Sequence, residues 1–243
     1  MSTVSAGMPP YFFPYLGYFD LIAHVDIWVV FDTPQYIKGG WVNRNRILSP
    51  DNQWRYITVP VKKAPLSTPI NQMEISDHTD WRSKIRNALS HYATRAPYFR
   101  PVSDLVEDGL EYKTSRLSEL NLYALEKVCA YLGISFPYLV LSKSNLHLGE
   151  ICRTQDWAIR ITQALGATVL LNPPGGRSIY VPNEFAEHGI RLIFRDFPPM
   201  EYRTEPYRFE PNLSIIDVMM WNSPEQIRTY LDSVRCHLVF DCP

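Results

Sequence analysis

The sequence lacks the features of membrane-bound and of highly charged proteins. It has no apolar run of the roughly 18 to 20 residues that a membrane-spanning helix requires. The segment MSTVSAGMPP at its start has no basic stretch followed by an apolar one, unlike a secretory signal. Charge is balanced as well, since 24 Lys and Arg oppose 25 Asp and Glu, for a formal net charge of -1. We therefore expect a cytoplasmic protein with no membrane span and no general nucleic-acid binding.

Cysteine and histidine patterns that indicate metals or disulfides are also missing. The four cysteines are scattered without a C-x-x-C pair, at Cys129, Cys152, Cys236 and Cys242. This spacing argues against a disulfide framework and against a zinc knuckle, so we expect reduced thiols. The six histidines show no H-E-x-x-H or other metal spacing, and we predict no metal site. Cys152 precedes a predicted helix, but no histidine can be assigned as its partner. The sequence identifies no cofactor.

Short apolar runs of strand length recur along the chain. They are SAGM near residue 5, IWVVF at 27–31, PYLVL at 137–141, ATVLL at 167–171 and RLIFR at 191–195. Hydrophobicity is continuous within each run rather than alternating, which predicts strands buried on both faces, as in a parallel sheet. Segments with helical spacing separate them. We therefore predict an α/β protein with an open, doubly wound, mostly parallel sheet of the Rossmann-like kind.

Helix ends are marked by glycine. A long predicted helix runs from Leu117 to Leu132 before Gly133, and another runs from about Trp157 to Leu165 before Gly166. An earlier helix is indicated by the spacing of Leu16, Phe19, Ile22 and Ala23.

Residues 33–112 interrupt the alternation of strands and helices. We predict that they are an insertion, within a single domain spanning residues 1–243. The insertion should hold an antiparallel strand pair, WRYITVPV at 54–61 with NQMEI at 71–75, and helices around 79–93 and 98–111. The tail from 196 to 243 should hold an aromatic, proline-rich loop, two helices around 214–221 and 223–234, and a final apolar piece, HLVF.

The stretch PYFFPYLGYFDLI, residues 10–22, holds six aromatic residues, two prolines and one glycine. In an open parallel sheet, the ligand lies beyond the carboxyl ends of the strands, near the point where the strand order reverses. If the order is 3-2-1-4-5, the start of this stretch faces the loop NPPGGRSIY, residues 172–180, across a crevice. Core packing is the alternative role for its rings, and both roles can hold at once.

Several polar residues are candidates for chemistry. Asp32 ends the run IWVVF, where a carboxylate can bind a sugar hydroxyl, hold a metal or accept a proton, or can simply cap the turn before Pro34. Asp217 follows Ser214 at a spacing near that of a capping box, and it could still point to the cleft. We predict Asp32 and Asp217 as the catalytic residues.

Amides, guanidinium groups and glycines are candidates for binding the substrate. The run Asn43 to Asn45 offers donors suited to phosphate or sugar recognition, with a polar turn as the alternative. The glycines of NPPGGRSIY expose backbone amides to which an anion can come close, although a plain strand-to-helix turn explains them equally. The predicted substrate-binding residues are Tyr11, Tyr18, Gln35, Asn43, Arg44, Asn45, Asn172, Gly175, Gly176, Tyr180 and Tyr202.

Several segments together resemble the WbqC-like protein family. They are PYFFPYLGYFDLI, FDTPQYIKGGWVNRNRIL at 31–48, WRYITVPV, HYATRAPYF at 91–99, LGATVLLNPPGG at 165–176 and FEPNLSIIDVMMWNS at 209–223. The resemblance spans nearly the whole chain in consistent order, although Pro9 stands where the family usually has glutamine. It implies a bacterial protein of polysaccharide, O-antigen or specialised-metabolite gene clusters.

The residues and the resemblance together favour one function over another. We expect a transferase that acts on a nucleotide-linked sugar or a similarly activated small molecule. The alternative is a non-catalytic accessory protein that binds a glycan or a partner enzyme, and fold alone does not decide between them. The sequence does not predict the oligomeric state.

Overall fold

The structure is a computed structural model, and it describes residues 2–51 and 53–235. The order of the strands and helices is β1 (Val4–Met8), α1 (Leu16–Ile22), β2 (Ile27–Val30), β3 (Arg44–Leu48), β4 (Trp54–Thr58), α2 (Trp81–Leu89), α3 (Phe99–Leu110), α4 (Leu117–Leu132), β5 (Tyr138–Val140), α5 (Thr154–Ala164), β6 (Val169–Asn172), α6 (Pro182–Glu187), β7 (Arg191–Phe194), α7 (Ile215–Trp221) and α8 (Pro224–Arg235). Strands and helices alternate from β1 to β2 and again from α4 to α7, whereas β2, β3 and β4 are followed by α2, α3 and α4 in between.

A five-stranded sheet forms the centre of the fold, in the order β5-β2-β1-β6-β7. All of its pairings are parallel, from Ser5 opposite Ile27 to Val169 opposite Arg191. Counted along the chain, the strands of this sheet therefore stand in the order 3-2-1-4-5, as expected from the sequence. The order reverses at β1, because the chain builds outward to one side through β2 and β5 and then returns to add β6 and β7 on the other.

Helices cover both faces of this sheet, which explains the continuous apolar runs. Val29 packs with Ile161 of α5 on one face. Its neighbours Trp28 and Val30 join the large core that contains α1 and α4. Because successive side chains of a strand point to opposite faces, a strand covered on both sides must be apolar at consecutive positions.

The predicted helix ends are confirmed at two glycines. Helix α4 ends at Leu132, and Gly133 follows with a φ of 66°, the left-handed conformation that closes many helices. Helix α5 ends at Ala164, two residues before Gly166, which has a φ of 64°. Over residues 2–51 and 53–235, no helix has both the length and the apolar character needed to cross a membrane.

One predicted strand pair is wrong. Strand β4 pairs antiparallel with β3, from Arg44 opposite Thr58 to Leu48 opposite Trp54. The predicted partner, residues 71–75, forms isolated bridges instead, between Ile75 and Val61 and between Glu74 and Arg116. The two-stranded hairpin leaves one face partly open, where Arg44 and Arg46 stand at alternate positions of β3. The segment RNRIL lacks an apolar run, because the buried residue between the two arginines, Asn45, is polar as well.

Helices of the tail occur where they were predicted. Helices α7 and α8 match the predicted spans around 214–221 and 223–234. The apolar piece HLVF lies outside the described residues, as do Cys236 and Cys242.

Candidate functional site

Two loops leave the central sheet at its carboxyl edge, on neighbouring strands. The first loop, residues 9–15, connects β1 to α1. The second loop, residues 173–181, connects β6 to α6 and contains a short 3-10 helix, Pro174–Ser178. Strands β1 and β6 are paired, and the strand order reverses at this point. Open α/β sheets bind their ligands in such a crevice.

Buried amide side chains hold the first loop in place. The side chain of Asn45 donates to the carbonyls of Phe12 and Phe13, at 3.2 and 2.8 Å. Asn121 on α4 donates to the carbonyl of Pro10 at 2.8 Å. A buried polar group without a partner costs about 1–3 kcal/mol, so these contacts favour one loop conformation over others.

The start of α7 holds the same loop from another side. Ser214 Oγ donates to the carbonyl of Phe13 at 2.7 Å and accepts from the backbone N–H of Ile216 at 3.2 Å. Ser214 is therefore the N-cap of α7, as the sequence indicated, and it also anchors the loop. The φ of Phe13 is 40°, a left-handed conformation that is strained for an aromatic residue and that the two hydrogen bonds to its carbonyl maintain.

The two loops meet around a cavity of about 350 Å³, which we call the cleft cavity. Its walls combine aromatic rings and prolines with a few polar groups from five parts of the chain. The lining residues are Tyr11, Pro14, Tyr15, Trp41, Asn45, Arg46, Pro174, Phe197 and Asn212. The volume lies near the lower end of the roughly 300–1,000 Å³ typical of small-molecule sites.

Arg46 gives the cleft cavity its charge. Its guanidinium carbon lies 5.7 Å from the ring centre of Trp41, and a terminal nitrogen donates to the carbonyl of Asn212 at 3.4 Å. Burial raises the pKa of Tyr11 and of Tyr15, so both hydroxyls stay protonated at neutral pH and can donate hydrogen bonds. The cavity thus suits a ligand that combines a ring with an anionic group.

The structure places Arg44 beside the cleft cavity rather than in its lining. The Arg44 guanidinium lies over the ring of Tyr56 at 4.1 Å, and it donates to the carbonyl of Gly39. Arg46, which the prediction left out of the site, is two residues further along β3 and on the same face. Recognising RNRIL as a strand would have identified it, because residues i and i+2 of a strand share a face.

Three other predicted binding residues lie away from the cleft cavity. Tyr18 is buried beneath the first loop and donates to the carbonyl of Pro9 at 2.9 Å. Asn43 is buried and donates to the carbonyl of Val59 at 2.9 Å. Gln35 is exposed and forms an isolated bridge with Pro69. Of the predicted binding residues, Tyr11 and Asn45 belong to the lining.

The predicted residues around the second loop do not line the cleft cavity. Asn172 donates from its amide to the carbonyl of Pro173 at 3.0 Å. A side chain at Gly176 would collide with that amide, whereas a side chain at Gly175 would meet nothing within 4 Å. The ring of Tyr180 packs against Phe185, with 5.3 Å between ring centres.

Asp32 lies in a second, smaller cavity of about 180 Å³ at the ends of β2 and β5. Its buried carboxylate accepts from the backbone N–H of Ser142 at 3.0 Å and from the Ser142 hydroxyl at 2.5 Å. Arg116 and Lys143 also line this cavity, which the cleft cavity does not share. The structure therefore separates Asp32 from the residues of the two loops.

Asp217 and Tyr202 are brought together, as a buried cluster behind β3. The Asp217 carboxylate accepts from the Tyr202 hydroxyl at 2.7 Å and from the Tyr92 hydroxyl. The Tyr92 hydroxyl in turn accepts from the backbone N–H of Leu48, at the end of β3, at 3.1 Å. Burial raises the pKa of Asp217 to about 6, against the opposing effect of the tyrosine hydrogen bonds. Neither Asp217 nor Tyr202 lines the cleft cavity.

Among the residues that the structure describes, no cluster of three or more His, Cys, Asp or Glu side chains could hold a metal ion.

The chain is an α/β protein whose aromatic cavity, with one arginine in its lining, lies where the parallel sheet reverses its strand order. Open α/β sheets bind their ligands at this position. The model of the WbqC-like protein family matches residues 9–229, and the chain belongs to that family. It is also 34% identical, over 234 residues, to the uncharacterized protein Rv1507c of Mycobacterium tuberculosis, and the match covers 92% of this chain and 95% of that relative. No solved structure matches the chain significantly.

Proposed function

We propose that this protein is a cytoplasmic transferase that binds a nucleotide-linked sugar, or a similarly activated small molecule, in the cleft cavity. Its pathway would be bacterial polysaccharide, O-antigen or specialised-metabolite assembly, in keeping with the resemblance to the WbqC-like family. The observation that carries the proposal is the position of the cleft cavity, which lies where open α/β sheets bind their ligands. We also infer a single Rossmann-like domain, in which residues 33–112 are an insertion that supplies Trp41 and Arg46 to the cavity.

Arg46 is the anion contact in this proposal. A guanidinium can bind a phosphate through two parallel hydrogen bonds, and stacking on Trp41 orients it before the ligand arrives. Tyr11 and Tyr15 supply ring surface and protonated hydroxyls, which can donate to sugar oxygens. Asn45 acts through the first loop, since its amide donors are already used by the loop carbonyls.

We assign Asp32 and Asp217 positioning roles. Asp32 ties the end of β2 to the segment after β5 through its two hydrogen bonds with Ser142. Asp217 ties α7 to the end of β3 through Tyr92, and α7 in turn holds the first loop. Both side chains thus connect the elements on which the cleft cavity is built, and neither lines that cavity.

A second candidate is a non-catalytic accessory protein that binds a glycan or a partner enzyme. One observation favours it: none of the described residues that line the cleft cavity is Asp, Glu, His or Cys. General acid–base and nucleophilic catalysis commonly use these side chains, whereas binding alone needs none of them. A transferase at this site would rely on Tyr11, Tyr15 and Arg46, or on groups of the substrates themselves.

Ligand-dependent thermal shifts separate the two candidates. Nucleotide-linked sugars, the free nucleotides and free glycans are each added to the wild-type protein, to Arg46→Ala and to Trp41→Ala. Arg100→Ala, an exposed substitution on α3, is the matched control. The transferase proposal expects a nucleotide-linked sugar to raise the Tm of the wild type and the control, and to lose that effect in both cavity variants.

Two other outcomes contradict the transferase proposal. A Tm increase with free glycans, but with no nucleotide-linked sugar, favours the accessory protein. A Tm increase by nucleotide-linked sugars that survives in both cavity variants places the ligand elsewhere.

A further inference from the structure

The hairpin of β3 and β4 presents an unusual outward face. On β4, Trp54 and Tyr56 occupy alternate positions, and each is 39% exposed. Trp41, just before β3, is 43% exposed. Large aromatic side chains that gather on a surface commonly mark a binding site, because exposing their apolar area to water is unfavourable. We call Trp41, Arg44, Arg46, Trp54 and Tyr56 the hairpin face.

Arginines and aromatic rings alternate across the hairpin face. Arg44 lies over Tyr56 at 4.1 Å, and Arg46 lies 5.0 Å from the ring centre of Trp54. The rings of Trp54 and Tyr56 meet edge to face, with 5.0 Å between their centres. Stacking on a ring limits the motion of a guanidinium while leaving part of its N–H edge available to an anion.

Neither arginine is neutralised by a carboxylate in the part of the chain that the structure describes. Their side-chain hydrogen bonds go instead to backbone carbonyls, from Arg44 to Gly39 and from Arg46 to Asn212. The Nε atoms of both are buried and have no hydrogen-bond partner. Two uncompensated cations on one aromatic surface are complementary to a ligand that carries two negative charges and a flat ring.

The hairpin face continues directly into the cleft cavity, because Trp41 and Arg46 belong to both. A nucleotide-linked sugar consists of a base, a ribose, a diphosphate and a sugar. A cavity of about 350 Å³, near the lower end of the range for small-molecule sites, encloses only part of such a molecule. The rest of the ligand must lie on a surface that adjoins the cavity.

We propose that the hairpin face binds the nucleoside diphosphate part of the ligand, and that the cleft cavity takes the sugar. Arg44 and Arg46 contact the two phosphates, while Trp54 and Tyr56 stack against the base. Base–aromatic stacking and guanidinium–phosphate pairing are the interactions that these side chains provide. This inference rests on the proposed function, because it assigns the two parts of the proposed nucleotide-linked sugar to two adjoining surfaces.

Binding of nucleoside diphosphates without a sugar tests the inference directly. ADP, GDP, CDP, UDP and dTDP are titrated by calorimetry, with inorganic pyrophosphate as the probe that has no base. The variants are Arg44→Ala, Trp54→Ala and Tyr56→Ala. Tyr138→Ala is the matched control, because Tyr138 is an exposed strand residue of the same type, 38% exposed, at the far edge of the central sheet. Circular dichroism and Tm confirm that each variant is folded.

We expect at least one nucleoside diphosphate to bind the wild type more tightly than pyrophosphate does. Tyr56→Ala or Trp54→Ala should weaken it about 10-fold, since a stacked base contributes roughly 1–3 kcal/mol. Arg44→Ala should weaken both the nucleoside diphosphate and pyrophosphate, by about 10-fold or more. Tyr138→Ala should bind like the wild type.

The outcomes that overturn the inference differ from those that overturn the proposed function. If nucleoside diphosphates fail to bind, or bind with an affinity that the three hairpin substitutions leave unchanged, while nucleotide-linked sugars raise the Tm of the wild type, the hairpin face is not the nucleotide subsite. Pyrophosphate binding as tightly as every nucleoside diphosphate would refute the stacking role. If no nucleotide-linked sugar binds the wild type at all, the proposed function fails first.

Discussion

Substitution of Asp217 tests the buried cluster that Asp217 forms with Tyr92 and Tyr202. Asp217 lies in the first turn of α7, fully buried, and accepts hydrogen bonds from the hydroxyls of Tyr92 and Tyr202. Burial raises its pKa from an ordinary value of 3.8 to about 6. Burial therefore destabilises the ionised carboxylate by more than the two tyrosine hydrogen bonds stabilise it.

The raised pKa makes stability depend on pH in a definite direction. Between about pH 4 and pH 6 the folded protein holds a proton on Asp217 that the unfolded chain has released. The contribution of this carboxyl to stability is therefore fully present below about pH 4, and it is lost as the pH rises through 6. A difference of this size between the two pKa values corresponds to about 3 kcal/mol.

Asp217→Asn removes the titration and keeps the shape of the side chain. We expect the free energy of unfolding of the wild type, minus that of the variant, to fall by about 3 kcal/mol between pH 4 and pH 7. Urea denaturation followed by tryptophan fluorescence at each pH measures this difference. Subtracting the variant cancels the effects of the other carboxyl groups, which titrate in both proteins.

Tyr202→Phe provides an independent check on the same cluster. The variant removes one donor to Asp217. Because a hydrogen bond to a charged group contributes about 1.5–3 kcal/mol, the variant should lose more stability at pH 7 than at pH 4.

The Asp217→Asn experiment would refute the reasoning in either of two cases. The difference in free energy of unfolding between the wild type and Asp217→Asn would stay constant with pH, or it would grow as the pH rises.

Three further predictions concern the loops and the cavity. Asn45→Ala should lower the free energy of unfolding by about 1–3 kcal/mol in urea denaturation, because the Phe12 carbonyl loses the Asn45 donor and the Phe13 carbonyl keeps only that of Ser214. A loss below about 0.5 kcal/mol would argue against the anchoring role. Gly176→Ala should lower the Tm, because the new methyl group collides with the Asn172 amide. Gly175→Ala is the control and should leave the Tm nearly unchanged, because a methyl group there meets nothing within 4 Å. Equal changes in Tm would contradict the packing of the second loop. Arg46→Lys should keep the Tm and weaken nucleotide-linked sugars about 10-fold in calorimetry, because lysine keeps the charge without the planar fork; wild-type affinity would show that charge alone suffices.

The central sheet and its order could be predicted because the signal is local and strong. The runs IWVVF and ATVLL are apolar at consecutive positions, since β2 and β6 are buried on both faces. Gly133 ends α4 because the left-handed conformation there favours glycine. The crevice at the reversal of strand order then follows from the topology rather than from any single residue.

The hairpin was harder to predict, because one of its faces is open to solvent. The first three residues of RNRIL are polar, and its pairing with β4 depends on contacts that its own composition does not indicate. The prediction therefore chose residues 71–75 as the partner of β4, and it named Arg44 but not Arg46 among the substrate-binding residues.

What the sequence determined by itself was the set of apolar segments, the helix ends and the place where two stiff loops leave neighbouring strands. Only the tertiary structure decided which polar side chains face the cavity and which hold the frame. Asn45 and Asn121 donate to carbonyls of the first loop that lie 32 and 111 residues away along the chain. An asparagine that holds a loop and an asparagine that binds a ligand have the same side chain. Their roles differ only through the groups that the fold places next to them.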